Sequence, residues 1–517
     1  MKLVNLSIAA AAACMFATSA HALKTGDRVL KGNYVVEYTK VPGSVNSIGD
    51  MFAQGEVYGR LRSHLFMYDW DNEITRTGTG AINNNNSTRD NRSWGLGGSV
   101  VAKTGFYNGF GATLGFFGTN EVLSDNTITG SASNFGRTGK DTYRQRANGT
   151  EANIGVFAEA FLEYKTGKTN VKVGRQGIES VMLATNDTKM VPNTFEAAVV
   201  ENSDIDNTKL RAAYITAQKL RDHQVFHSTI AFEGREQNDD SGVHRGLTAR
   251  NINTRGNGDI DPHMFLLTGQ NSSIPNLKLD GEYVRVEGFV STAIAEANYK
   301  IKLSDAWSLT PGVRYLRQMD QGAGHIGGAA ISGQLGARGN GTNTGTGNAR
   351  ARVGAAGGYK DAQNADGSII MARLVAANGP LEILLGYSKV SDQADIIAPW
   401  RGFPTGGYTR SMAIIDWIAN TESGMVKVIY DFDKAGVVPG LLVAADYEKM
   451  NFDDAKTKTS GVSDREIYHI DITQTLKAVP NTEFKLRLAT VNAELAPAAF
   501  PTGSSYSEAR FEINYLF

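Results

Sequence analysis

The chain has 517 residues, with 52 Lys and Arg against 53 Asp and Glu and a formal net charge of −1. That balance excludes the basic surface of a nucleic-acid binder, and past the amino terminus no run of about 20 apolar residues could cross a membrane as a helix. Glycine is abundant, 57 residues against 12 prolines, well above the usual share of about 7%.

Residues 1–22, MKLVNLSIAAAAACMFATSAHA, combine Lys2, an apolar stretch and the small-x-small end Ala20-His21-Ala22. This is the pattern of a secretory signal peptide cut after Ala22. Cys14 is the single cysteine and leaves with it, so the mature chain carries no disulfide or thiol chemistry. Residues 23–54 are polar and mixed, a periplasmic lead-in to a barrel that starts near residue 55.

In GEVYGRLRSHLFMYDW (Gly55–Trp70), Val57, Leu61, Leu65 and Met67 share one face. Glu56, Tyr58, Arg60, Arg62, His64 and Tyr68 share the other. One face suits lipid and the other water, the signature of a strand in a transmembrane barrel. After an Asn- and Thr-rich loop at 75–92, strands are predicted at 94–104 and 107–118 around the tight Tyr107-Asn108-Gly109 turn. A polar loop covers 120–150, and further strands are predicted at 152–165, 169–176, 208–219 and 223–234. Between them, Asn186–Asp206 reads as too irregular for a strand. A polar loop comes next at 235–260, then alternating strands at Phe289–Leu303 and Trp307–Gln318. Residues 320–360 are the most Gly-rich stretch; with no GxxxxGK[ST] phosphate cradle, they read as loop.

The last third reads as a meander of strands at 368–377, 380–390, 424–433, 439–450, 465–477, 482–493 and 506–517. Short turns at Asn378-Gly379-Pro380, Val438-Pro439-Gly440 and Pro480-Asn481 alternate with longer polar loops. The last strand, YSEARFEINYLF, alternates to an aromatic carboxy-terminal residue, Phe517. Outer-membrane barrels characteristically end this way, the terminal aromatic serving the barrel-assembly machinery. The fold class is therefore all-β: an antiparallel transmembrane barrel of 16 to 19 strands, with an even number near 18 expected, wide enough for a water-filled lumen.

Three stretches resemble the OprD-type family of outer-membrane porins: Gly55–Trp70, NDTKMVPNTFEAAVVENSDI after Arg175, and APWRGFPTGGYTRSM (Ala398–Met412). The middle stretch resembles the family's inward-folded third loop. The resemblance implies that Asn186, Asp187, Lys189, Pro192, Thr194, Phe195 and Glu196 sit at or near a constriction. The family usually carries Arg where this chain has Lys189, and lysine lacks the planar fork that arginine offers a carboxylate. Arg401 and Arg410 fall in the third stretch, a second loop candidate. The family implies an 18-stranded barrel, often trimeric, in the bacterial outer membrane. It passes small carboxylates, amino acids or peptides by diffusion along a basic ladder.

Strand parity independently puts Arg60, Arg62, Arg314, Arg373, Lys427, Arg487 and Arg510 on polar faces, as pore-lining candidates. Glu296, Asp446, Glu448, Asp471, Glu508 and Glu512 face the same way, so pairing with neighbouring acids is the alternative to a free ladder. Catalysis is not expected. His227 and Ser228 are adjacent in sequence and would point to opposite faces of a strand, so they cannot act together. No HExxH or other metal-ligand spacing occurs, and no cofactor is implied. The expected partners are small hydrophilic solutes, ions and outer-membrane lipid. A general non-selective porin and a structural or adhesive barrel are the alternatives.

Overall fold

Eighteen antiparallel strands close into one barrel. In chain order they are β1 (Glu56–Trp70), β2 (Asn91–Lys103), β3 (Phe110–Ser124), β4 (Asn153–Thr166), β5 (Thr169–Gln176) and β6 (Thr194–Asn202). Next come β7 (Thr208–Lys219), β8 (Met264–Asn271), β9 (Leu277–Val286), β10 (Val290–Tyr299), β11 (Trp307–Asp320) and β12 (Gly367–Asn378). The last six are β13 (Leu381–Val390), β14 (Glu422–Asp431), β15 (Leu441–Asn451), β16 (Arg465–Leu476), β17 (Val479–Ala493) and β18 (Tyr506–Leu516). The structure is a computed structural model describing residues 23–25, 28–31, 36–38, 42–71, 90–124, 137–143, 153–230, 262–331, 357–412, 417–457, 462–494 and 505–517. The predicted signal peptide, 1–22, lies outside the described residues. So do the predicted loop at 235–260 and most of those at 75–92, 120–150 and 320–360.

The sheet closes where β18 pairs with β1, placing Glu512 opposite His64 and Asn514 opposite Arg62. Phe517 extends this seam: its N–H donates to the Gly59 carbonyl at 3.2 Å and its carbonyl accepts from Gly59 N–H at 3.0 Å. Closure leaves no unpaired strand edge in the bilayer, where each bare backbone group would be costly. The period of two in β1 now has a physical meaning. Val57 and Leu61 point outward and are 59% exposed, whereas Tyr58, Arg60, Arg62 and His64 point inward and are buried. The outer apolar band continues through Leu114, Leu162, Phe265, Val313, Ile370 and Phe511.

Most tight connections lie at one rim; the Glu287-Gly288-Phe289 turn between β9 and β10 lies at the other. Gly167 (φ 56°) turns β4 into β5 and Gly379 (φ 55°) turns β12 into β13, conformations that glycine adopts without a Cβ clash. The opposite rim carries the long segments 177–193 and 391–421, and both fold inward, the second over its described residues 391–412 and 417–421. Their Met182, Leu183, Ile396, Trp400 and Tyr408 pack with Phe195, Leu266, Val284, Leu316 and Ile369 of the wall. Part of the lumen is thus a dry core rather than open water.

The structure differs from the sequence reading in several places. Residues 223–230 form turns and a single bridge, Gln218 to His227, rather than a strand. β6 lies wholly inside the stretch read as irregular, and β8 and β9 lie between the predicted loop at 235–260 and the predicted strand at Phe289–Leu303, where no element is predicted. The turn before β17 is at Lys477-Ala478; Asn481 (φ 67°) lies on β17, where the pairing with β16 shifts register. Ahead of β1, three short strands, Leu23–Thr25, Arg28–Leu30 and Val36–Tyr38, make an antiparallel sheet. A helix, Ile48–Ala53, then leads into β1.

Candidate channel constriction

The first inward segment, 177–193, is held at both stem and tip. At the stem Glu282 of β9 accepts from the Val181 N–H (2.7 Å), the Met182 N–H (3.0 Å) and the Ser180 hydroxyl (2.8 Å). Arg211 donates to the Glu179 carbonyl at 2.7 Å, and Lys219 to the Pro192 carbonyl at 2.6 Å. At the tip Asp187 accepts from Arg60, and Arg62 donates to its carboxylate (3.1 Å) and its carbonyl (2.8 Å). Arg62 also donates to Glu512 at 2.6 Å.

Arg60 and Arg62 do share the inward face of one strand, but they are only 1% and 2% exposed. They clamp the loop to the wall instead of standing open as rungs. Asn186 is buried and its side chain caps the Thr188 N–H at 3.0 Å. Lys189 is buried with its ammonium 3.8 Å from the Phe66 ring centre, a cation–π contact. Thr194 and Glu196, expected in the constriction loop, lie on β6. Glu196 points outward and accepts from Arg175 at 2.9 Å. The reason is local: regular alternation resumes at Thr194, with Phe195, Ala197 and Val199 turned inward and Glu196, Ala198 and Val200 outward.

The second inward segment, 391–421, docks on the first through the backbone. Leu183 and Arg401 form an isolated bridge, Ala184 N–H donates to the Trp400 carbonyl at 3.0 Å, and Gly402 N–H donates to the Met182 carbonyl at 3.2 Å. A Cβ at Gly402 would stand 2.2 Å from the Met182 carbonyl carbon, so only glycine permits this approach. Arg314 and Arg373 tie the segment to the wall. Arg314 donates to the Pro404 (2.7 Å) and Gly406 (3.1 Å) carbonyls, and Arg373 to that of Gly407 (3.0 Å). Both are balanced by Glu296, at 2.6 Å and 3.2 Å, and both lie 4.7 Å from the Tyr408 ring centre. Arg401 (φ 64°) reaches Asp222 at 3.8 Å, and Arg410 covers the Phe403 ring at 4.1 Å.

The remaining basic candidates are paired too. Lys427 meets Asp446 at 3.7 Å, Arg487 meets Asp471 at 2.8 Å and Arg510 meets Glu508. His469 bridges Asp446 (2.8 Å) and Asp471 (2.7 Å), while Lys485 lies 3.5 Å from Asp471. Arg487 and Lys485 keep 13% and 15% of their side chains open, more than Lys427 at 9% or Arg510 at 4%. Sequence reasoning missed Glu282 and Lys219 as loop anchors. For Glu282 the signal was present, because Lys278, Asp280 and Glu282 alternate with Leu277, Leu279 and Tyr283.

An eighteen-stranded barrel with two inward loops crossing its lumen is the form of a porin, and the family model for outer membrane porin, OprD family, matches residues 55–516. The chain belongs to the OprD family of outer-membrane porins. Solved structures agree on the fold. OpdQ of Pseudomonas aeruginosa is 16% identical with a TM-score of 0.62, covering 91% of the porin and 99% of OpdQ. OpdK of the same organism, solved with vanillate, is 14% identical with a TM-score of 0.64, covering 90% and 99%. OccAB3 of Acinetobacter baumannii is 15% identical with a TM-score of 0.65, again covering 90% and 99%. No curated protein matches the chain in sequence. The porin is a channel of the bacterial outer membrane, not an enzyme.

One buried acid makes the second loop pH-sensitive. Asp395 accepts from the Ala419 (2.8 Å) and Ile331 (2.9 Å) amides and the Tyr359 hydroxyl (2.8 Å). Burial pushes its carboxyl up from 3.8 to about 6. The folded loop therefore binds this proton more tightly than the unfolded chain. Its contribution to stability is full below pH 3.8 and is lost as pH rises through about 6. Hydrogen-exchange protection of Ala419 and Ile331 should accordingly be higher at about pH 4 than at about pH 8, and Asp395→Asn should flatten that difference. Equal protection in the unmodified porin would refute this.

Proposed function

We propose that the porin passes small zwitterionic carboxylates, amino acids or short peptides, by diffusion past the two-loop constriction. The observation that carries this reading is the wall of alternating charge from β10 round to β1. A free basic ladder would favour simple anions. Here Glu296, Asp446, Asp471, Glu508 and Glu512 stand among the cations, and Asp471 stays partly open beside Lys485 and Arg487, so a solute carrying both charges meets both signs along the same wall. The carboxylate is received at Lys485, Arg487 and His469, three cationic or protonatable groups sharing Asp471. Several moderate sites of this kind let a solute enter and leave, where one deep well would trap it. The aromatic end of β18 and Phe517 address the chain to the barrel-assembly machinery, and the porin assembles as a homotrimer.

The test is uptake into liposomes carrying the porin. Amino acids and dipeptides should cross several times faster than neutral sugars of equal size. Replacing both Lys485 and Arg487 by Gln should remove that advantage and lower anion-over-cation permeability. Equal rates for sugars and zwitterions would make this a general porin.

A further inference from the structure

The sheet ahead of β1 is not left outside the barrel. Leu30 is 2% exposed and packs on Leu516, at the inward-facing end of the closing strand. Tyr38 stacks on Tyr58, ring centres 5.2 Å apart and planes 15° apart. The same cluster holds Val101, Phe117 and Ile154 from β2, β3 and β4, and Met190 and Val191 from the first loop. Val36 bridges these two clusters. The sheet therefore lies against the inner wall from β18 round to β4, in contact with the tip of the first loop, and its charged edge shares a cavity with inward residues of β5 to β10.

Leu30, Val36 and Tyr38 are covered, while Lys31 and Glu37 are left in the open space. Lys31 and Glu37 pair at 2.8 Å, with 35% and 47% of their side chains exposed. Both line a cavity of about 490 Å³ whose far wall carries Lys172, Glu201 and Arg211, all on inward faces. Glu37 also borders a second cavity, of about 200 Å³, beside Lys103 and Glu163. A solute that has passed the loops meets this pair before it reaches the rim of the tight turns.

We propose that the three short strands ahead of β1, with Lys31, form a second, periplasm-side constriction of the pathway, in which Lys31 and Glu37 are selectivity-determining residues. The sheet is anchored at Leu30, Val36 and Tyr38, and its charged edge faces the permeating solute. The path thus has two narrowings in series, one made by loops from the outer rim and one by the chain's own amino-terminal segment. This holds whichever solutes the channel prefers, because it concerns the route itself.

The test uses the full-length porin in a Cys14→Ser background, which removes the single cysteine. Glu37→Cys is introduced, and a cationic methanethiosulfonate is applied to the periplasmic side during single-channel recording in KCl. Modification, checked by mass, should lower conductance at least about twofold, because a bulky group then occupies a site that ions must pass. Lys31→Glu, with the folded gel form checked, should shift the reversal potential in a KCl gradient toward cation preference. A cysteine that the reagent does not reach would overturn the proposal. So would full modification with conductance unchanged, and so would a Lys31→Glu reversal potential equal to that of the parent. Loss of zwitterion selectivity in liposomes with these results intact would count against the proposed solutes and not against the second constriction.

Discussion

Asp187→Ala should raise single-channel conductance severalfold while the barrel stays folded. Asp187 is the shared counter-charge of Arg60 and Arg62, and all three are buried. Removing one partner of a buried ion pair typically costs about 3–5 kcal/mol, because the other charge is left without compensation. The tip has a competing reason to stay, the burial of Met190 and Val191, worth at most about 1.5–3 kcal/mol each. These magnitudes are comparable, but lifting the tip also lets water reach both guanidiniums, so release wins. The stem stays in place through Glu282 and the Leu183–Arg401 bridge. Asp187→Asn keeps the shape without the charge and should fall between parent and alanine variant. The measurements are planar-bilayer conductance and the heat-dependent gel shift of a folded barrel. An unaltered conductance would mean that the tip does not narrow the path.

The second large effect is expected at Arg314. Its guanidinium joins Glu296 on the wall to the Pro404 and Gly406 carbonyls of the second loop and lies over Tyr408. Arg314→Gln loses the charge and the fork together, leaving two carbonyls short of a donor and Glu296 with Arg373 as its remaining cation. The loss should be about 3–5 kcal/mol, read as a lower unfolding temperature of the gel-resolved folded form together with higher conductance. Arg314→Lys should not restore either, because one ammonium cannot reach the carboxylate and both carbonyls in the same plane. Full rescue by lysine would show that charge alone holds the loop.

These two sites show what a sequence can and cannot carry. The seam strands were legible because their inner faces are polar and their outer faces apolar, so β1 and β18 alternate in plain view. β8 was not, and the cause is the inward loops. Met264 and Leu266 face the dry core beneath them while Phe265 and Leu267 face lipid, so all four are apolar and the period of two disappears. β6 hides for the same reason, with Phe195, Ala197 and Val199 inside the core. Parity alone put Arg60, Arg62, Arg314 and Arg373 on the lumen side. That each would be spent on a loop depended on partners far away in sequence, such as Asp187 for Arg60 and Gly407 for Arg373. No local pattern carries that information.

Two inward loops, pinned to the wall by paired arginines, should set the bore of this diffusion channel. Single-channel recording of the combined Asp187→Ala, Arg314→Gln porin in symmetrical KCl tests this most directly. Freed of both pins, the channel should open in discrete steps larger than those of either single variant, and severalfold larger than those of the parent. Steps equal to the parent's, from protein that still shows the folded gel form, would contradict it.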